Sequence, residues 1–489
     1  MNKDLRVTIA AFALGMLIAG LLPSEPLAAT TAMDKPPYHI KTKQGPDALT
    51  GGWFINLGIT GIRAKILEDK PTEFEVAYVF EDTPAARKIN VGDRIVGVND
   101  KKFTTPHKFG YGMKKFGYEG PMMDFADALD ACQARQSEGK LTLDILRHDK
   151  AKSVVLNIDT SYGSFARTFP FNCEKTDRIL EESYKYLAGR QKENGTWHNR
   201  PHINTFAALA LLASGEKKYL PHAKKAAHAF AKMTDDEISY GGLDCWKYTL
   251  YGIYLGEYYL ATREEWVLDE LREINRWLLK AQMENGGWGH RPANRPEGNG
   301  YGSICILTMQ AKMAWSLMAR CGIEIDADRF KAAHDFVVRG TNKIGYVWYK
   351  DGGENKPGYA DMGRTGAAAL AHALSPINQP AYNEYAKRAA RCIGDNYKTF
   401  PDTHGSPILG MVWTALGAAV DEPSFRNLLD NNRWWFTLSH CTDGTFYYQL
   451  NRDNNAQDYT AAPRLSATAA TALILSMRQR RLAMMNLDE

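Results

Sequence analysis

From residue 173 onward the chain alternates between two kinds of apolar pattern. One kind carries its apolar residues on a single helical stripe: 174–190, 219–233, 266–283, 328–339, 382–397 and 425–440. The other is apolar or small nearly all round: 205–214, 247–261, 303–321, 365–374, 407–420 and 465–477. A helix apolar on every side is buried on every side, and a striped helix covers it with one face. Six such pairs in succession predict an inner ring of helices within an outer ring. An open stack is the alternative, but it calls for polar capping helices. The last inner segment (LSATAATALILSM) is as apolar as the rest. Residues 173–485 are therefore expected to form an all-α, six-hairpin α/α toroid.

Two junctions between a striped and an apolar segment carry the same pattern, Gln191 to Trp197 (QKENGTW) and Gln282 to Trp288 (QMENGGW). A recurring junction marks a repeat architecture. Gly195 and Gly286 turn the chain, the glutamines are placed to bond loop backbone, and the tryptophans pack beneath. The motif reads as a loop brace. The last junction keeps only its tail, Asp443 to Phe446 (DGTF). With these repeats the pattern resembles the α/α toroid of terpenoid cyclases and protein prenyltransferases.

Residues 50–160 have a different texture. Segment 54–66 (FINLGITGIRAKI) alternates around a Gly-rich turn, and 75–80 is a short strand. Pro84-Ala85-Ala86 and 91–99 (VGDRIVGVN) follow, then a helix near 124–136 and a strand pair, 141–147 with 153–158. The P-A-A start, the G-D-x-I-x-x-V-N run and the closing strands resemble a PDZ domain, so a small α+β PDZ-like domain is expected before the toroid. The resemblance implies strand addition of a peptide C-terminus. Leu57, Gly58, Ile59, Thr60 and Gly61 would form the carboxylate loop, the strand opening at Ile62 the pairing edge, and the 124–136 helix the other wall. The plainer alternative is a scaffold that braces its neighbour. A serine protease, the usual bacterial partner of such a domain, finds no nucleophile motif here. The combined order also resembles an exported bacterial family classed as a domain of unknown function, through the L-G-x-T-G-I-R run and the H-G-S start of the fifth inner helix.

Composition narrows the setting. The chain has 489 residues, 44% hydrophobic and 24% charged, with net charge +4. That is ordinary soluble composition, and it lacks the clustered basic residues of a nucleic-acid binder. Lys3 and Arg6 precede an apolar run over 7–22, and Ala28, Ala29 and Ala32 follow. This predicts a cleaved export signal over 1–32 and a leader over 33–49. If uncleaved, the signal is the one expected membrane contact. An exported protein, periplasmic, envelope-associated or extracellular, is expected. Seven cysteines (132, 173, 245, 305, 321, 392 and 441) include no CxxC pair. Cys305 and Cys321 sit on one helix about 24 Å apart, too far to pair. Most are expected to be buried thiols, with one bridge between distant helices left open.

In a closed ring every outer-to-inner loop lies at one end. The first turns of the inner helices meet there, each with unsatisfied N–H groups that favour an anion. Candidate acid, base or cation groups on these loops are His290, His404, Asp361, Arg364 and Tyr448. Candidate cleft residues are His198, His202, Asp244, Trp246, Trp288, Arg291, Tyr301, Tyr359, Tyr447 and Arg452. Aromatics mixed with His, Asp and Arg suit a sugar, though each residue alone is as well explained by loop packing. No squalene-cyclase D-x-D-D motif is present, nor the Cys and His spacing of a lanthionine-type cyclase. Asp244, Cys245 and His404 loosely resemble the zinc set of prenyltransferases, with the acid and thiol adjacent where that family separates them. No metal or other cofactor is assigned. The expected function is an exported protein with a peptide-binding sheet domain and a toroid cleft for a polar or anionic ligand. The alternatives are a polysaccharide lyase or hydrolase and, third, a zinc-dependent transferase.

Overall fold

The computed structural model describes residues 53–67, 69–107, 119–235, 243–293, 302–358, 361–377, 380–401, 407–447 and 463–487. The expected signal and leader lie outside these residues. Among them, no helix is long and apolar enough to cross a membrane.

The first unit is an antiparallel sheet. Its strands are β1 (Trp53–Asn56), β2 (Ile62–Ile66), β3 (Phe74–Val79), β4 (Arg94–Val98), β5 (Lys101–Lys102), β6 (Lys140–Arg147) and β7 (Lys150–Asn157). The order is β1-β2-β3-β4-β6-β7, with β5 paired to β4. Helix α1 (Pro121–Cys132) covers one face. Phe74 packs edge-on against Phe103 and Phe125, at 5.7 and 6.3 Å between centroids, and joins the sheet to the helix.

The rest is the expected ring. The outer helices are α2 (Glu174–Arg190), α4 (Leu220–Asp235), α6 (Trp266–Ala281), α8 (Ala327–Arg339) and α10 (Pro380–Asp395), with α12 (Glu422–Asn431) and α13 (Arg433–Ser439) as the sixth. The inner helices are α3 (Pro201–Ala213), α5 (Asp244–Thr262), α7 (Cys305–Arg320), α9 (Gly363–Ala373), α11 (Pro407–Ala418) and α14 (Pro463–Leu475). Each inner helix packs on the next, and α14 packs back on α3, so the ring is closed. The tail past α14 is tied to the far end of the ring. Buried Glu257, near the end of α5, accepts from the backbone N–H groups of Ala483 and Met484 at 2.7 and 2.8 Å. All seven cysteines are buried thiols, so the bridge left open by the sequence does not form.

The sixth outer helix departs from expectation. The pattern predicts one helix over 425–440, but the structure breaks it at Asn432, whose side-chain amide donates to the Leu428 and Tyr397 carbonyls at 2.7 and 2.9 Å. Side-chain bonds of this kind compete with the helix ladder. The break frees α13 to face the sheet unit, where it packs on α1, β1 and the turn after β1.

The tightest inner contact is between α9 and α11. Gly363 and Gly366 of α9 face Gly410 and Gly417 of α11, and a Cβ on Gly366 would come within 3.0 Å of the Trp413 backbone. Backbone cannot yield as a side-chain tip does. Gly366→Ala is therefore expected to destabilise the chain by about 2 kcal/mol or more, read as a lower midpoint in urea unfolding.

Candidate functional site

The mouth is built on a turn that recurs at the ends of outer helices. After α2, Gln191 Nε2 donates to the Gly195 carbonyl at 3.0 Å and, across to α4, to the His222 carbonyl at 2.9 Å. After α6, Gln282 Nε2 donates to the Gly286 carbonyl and, across to α8, to the Arg329 carbonyl, both at 2.9 Å. Trp197 and Trp288 donate their indole N–H to the Leu187 and Leu278 carbonyls beneath. Within these turns Lys192 N donates to the Thr196 carbonyl and Gly195 N to the Lys192 carbonyl, and Met283 N to the Gly287 carbonyl and Gly286 N to the Met283 carbonyl; the same pair of backbone bonds forms two further turns. Asn342 N donates to the Tyr346 carbonyl and Gly345 N to the Asn342 carbonyl after α8; Cys441 N donates to the Thr445 carbonyl and Gly444 N to the Cys441 carbonyl after α13. Sequence reading missed the turn after α8, because neither its glutamine nor its tryptophan is kept. The surviving signal is a polar residue four places before a glycine at an outer helix end: Gln191, Gln282, Thr341 and His440.

On these supports two loops meet at the start of α5. Trp246, in the first turn of α5, donates its indole N–H to Nδ1 of His290 at 2.9 Å, and the two rings lie 29° apart in tilt at 6.1 Å. The His290 carbonyl accepts from Cys245 N at 3.3 Å. An acceptor at Nδ1 places the imidazole proton on Nε2, and burial lowers the pKa of His290. The ring is thus neutral at neutral pH. Asp244 opens the same helix and is buried, an acid where the helix dipole favours one. Cys245 beside it is fully buried, and burial pushes its thiol pKa up. His404, the third member of the prenyltransferase-like set, lies outside the described residues. Among those residues no cluster of His, Cys, Asp and Glu is placed to hold a metal.

Loop one is clamped by Asn204 of α3, whose side chain accepts from the His198 backbone N–H and donates to the His198 carbonyl, both at 2.9 Å. His202 sits edge-on to Phe206, and burial pushes its pKa down to about 3. Arg291 is half-buried next to His290.

Three expectations are corrected here. Trp288 is fully buried beneath its loop and braces the cleft without lining it. Asp361 and Arg364 are paired with each other in loop four and the first turn of α9. Arg364 also donates to the Tyr346 hydroxyl at 3.1 Å and the Val347 carbonyl at 3.3 Å, and lies over the Tyr349 ring. A carboxylate so committed holds its loop and is not a free acid or base. Tyr447 is buried against the sheet unit, with the Arg63 guanidinium 5.4 Å from its ring and Phe80 and Cys441 beside it. His404, Tyr448, Tyr301, Tyr359 and Arg452 lie outside the described residues.

The expected peptide groove is also corrected. β2 pairs with β1 on one side, from Trp53↔Ile66 to Asn56↔Arg63, and with β3 on the other. Its edge is taken by the chain's own preceding segment. Leu57, Gly58, Ile59, Thr60, Gly61 and Ile62 are all buried. The Gly58–Thr60 turn rests on α13, where a Cβ on Gly58 would stand 2.5 Å from the Thr437 carbonyl oxygen. Lys175 at the start of α2, itself without exposed surface, bonds Asp130 of α1 at 2.6 Å and fixes the other wall. Peptides with free C-termini are therefore expected to show no saturable binding to the intact chain by fluorescence polarisation. Gly58→Ala is expected instead to lower the thermal midpoint, through lost docking on α13; saturable binding would mean that β1 peels away from β2.

Comparison with known proteins places 176–485 in a match to DUF6288, described as a domain of unknown function. No curated protein matches the chain. Among solved structures, the chain is similar to an α-1,6-mannanase of Salegentibacter sp. HEL1_6, at 12% identity over 63% of this chain and 98% of that one, with a TM-score of 0.48. It is similar to a cellobiose 2-epimerase from Bacillus thermoamylovorans, at 14% identity over 62% and 99%, TM-score 0.45. A third is the unsaturated glucuronyl hydrolase of Bacillus sp. GL1, at 12% identity over 62% and 95%, TM-score 0.43.

Proposed function

We propose, from the premise that the chain belongs to the DUF6288 family, that the toroid mouth is the site of a carbohydrate-active enzyme with Trp246 as its sugar platform. The observation that carries the reading is the Trp246–His290 pair. Trp246 is half-buried, and its one polar atom is committed to a neutral imidazole at 2.9 Å. An indole anchored in this way is a rigid, flat, apolar surface with two fixed torsions. The C–H face of a pyranose packs on such a surface while its hydroxyls take the polar groups around it. Asp244 and His202 stand in the first turns of α5 and α3 and Arg291 beside His290, and the first turns of the inner helices favour an acidic sugar such as a uronate.

Proton transfer falls to His404 and Tyr448, which the sequence assigns to loops five and six of the same mouth, whereas Asp361 and Arg364 serve as a brace. The sheet unit, PDZ-like in its motifs, acts as a support for α13 and loop six rather than as a peptide reader. Export remains part of the reading, resting on the apolar run after Lys3 and Arg6.

Incubation with a panel of uronate-rich and neutral polysaccharides is expected to release oligosaccharide. Trp246→Ala is expected to raise KM about tenfold, the equivalent of ~1.4 kcal/mol of lost contact, and His404→Ala to lower kcat with KM retained. Saturable glycan binding without release would reduce the protein to a lectin-like binder, and absence of both binding and release removes the reading.

A further inference from the structure

The toroid wall where α7, α8, α9 and α10 meet encloses three basic side chains, and among the described residues no acid is in contact with them. Lys312, midway along α7, has no exposed surface. Its Nζ lies 3.0 Å from Nδ1 of His372 on α9 and 3.3 Å from Nδ1 of His334 on α8. The same nitrogen stands over the rings of Phe330 and Tyr382, at 5.0 and 4.7 Å. The two imidazoles meet at 4.9 Å and pack on Tyr382 and Tyr385 of α10. The charged neighbours are few. Lys331 and Asp335 on α8 are bonded to each other at the surface, at 2.6 Å. Arg388 on α10 lies over the Tyr385 ring at 4.6 Å. From α5, α7 meets Thr249, Gly252 and Gly256, none of them ionisable, and the buried Glu257 of α5 acts on Cys321, past the last turn of α7 and nine residues beyond Lys312. The buried positions of α6 are apolar.

The hydrogen-bond logic limits what this cluster can hold. Both Nδ1 atoms face one amine and accept from it, so each imidazole keeps its proton on Nε2. One added proton charges the amine without changing the pattern. A second would set two N–H donors against each other and place two positive charges in one unneutralised site, which is the costliest kind of burial.

We propose that Lys312, His334 and His372 form a proton-operated latch in the toroid wall, which clamps α8 and α9 to α7 while uncharged and loosens that sector as protons are added. The sector reaches the mouth, because the first turn of α7 holds loop four through the Cys305 N to Tyr349 carbonyl bond at 2.9 Å and the first turn of α9 carries Arg364. The proposal rests on the wall alone and is independent of the ligand at the mouth.

Burial acts on all three groups in the same direction. Burial pushes the Lys312 amine from 10.5 down to about 7, with no other group contributing. Burial, followed by the Lys312 and Lys331 charges, takes His334 to about 3, and His372 is likewise held well below its ordinary value. The folded-state pKa values are all depressed bases. Between 10.5 and about 7 the unfolded chain binds a proton at Lys312 that the folded chain does not, so stability is lost as pH falls through that window. Below 6.5 the two imidazoles continue the loss.

Hydrogen exchange of the full chain, corrected for intrinsic rates, tests the latch between about pH 9 and about pH 6. Amides of α8 and α9 are expected to lose about tenfold more protection than those of α3 and α14 as pH falls, and Lys312→Met is expected to erase the difference. A uniform change around the ring, or the same sector-specific change in folded Lys312→Met, overturns the proposal. If Lys312→Met does not fold, the wild-type profile still decides, together with His334→Gln, which is expected to keep the loss above neutrality and to reduce the loss below about pH 6.5.

Discussion

The ring depends on how the outer helices end. Gly195, Gly286, Gly345 and Gly444 all have positive φ, between 78° and 92°. Each is seated on the next outer helix around the ring. A Cβ at Gly195 would strike the Lys225 carbonyl of α4, at Gly286 the Ala332 carbonyl of α8, and at Gly345 the Arg388 carbonyl of α10. Gly444, at the last junction, is seated on Glu182 of α2, the first outer helix. Three of these seats are on a backbone carbonyl and the fourth is on a side chain, and the fourth joins the last outer helix to the first as α14 on α3 joins the inner ones. The backbone conformation and the close approach both exclude a side chain, which is why glycine persists where the rest of the motif has drifted.

This constraint explains why the mouth loops can differ so widely in composition. Their ends are set by turn and seat, so the intervening residues answer to other demands. Loops two and three are tied by Trp246 and His290, and loop four is tied to itself by Asp361, Arg364 and Tyr346. Loop six is held from outside by Arg63 above Tyr447. The sheet unit also reaches the segment before loop five, where Glu119 pairs with Lys398. Beyond its packing on α13 and its bond to α2, the sheet unit thus also touches the segments that follow α10 and α13.

The ring was legible because its signal is local: apolar on all sides or on one stripe, read over a dozen residues at a time. The brace was legible twice, at 191–197 and 282–288, and illegible at 341–347, where Thr341 and Val347 replace the outer residues while the turn geometry is unchanged. The fate of the groove was not legible. Its motif names the loop at Leu57–Gly61, but what fills the site is β1, a few residues earlier, and α13, nearly four hundred residues later. Tyr447 and Trp288 carried the right chemistry for a cleft and were drawn elsewhere by packing. Lys312, His334 and His372 escaped for a related reason, since each stands singly in a segment whose period says core and only the fold joins them.

Those two misses share a physical cause with the hits. Pattern reads the average polarity of a face, and both the plugged groove and the wall cluster are exceptions that tertiary contact creates within an otherwise consistent face. Strand β2 has the alternation of an edge strand, yet hydrogen bonds on both sides make it internal. Lys312 sits in a helix apolar enough to be wholly buried, and its burial is tolerated because two imidazole lone pairs and two aromatic faces receive it in place of a carboxylate. A carboxylate there would have made a permanent ion pair, indifferent to pH near neutrality. Lone pairs and rings accept the amine without fixing its charge, so the packing of α8 and α9 on α7 is left coupled to the proton activity outside.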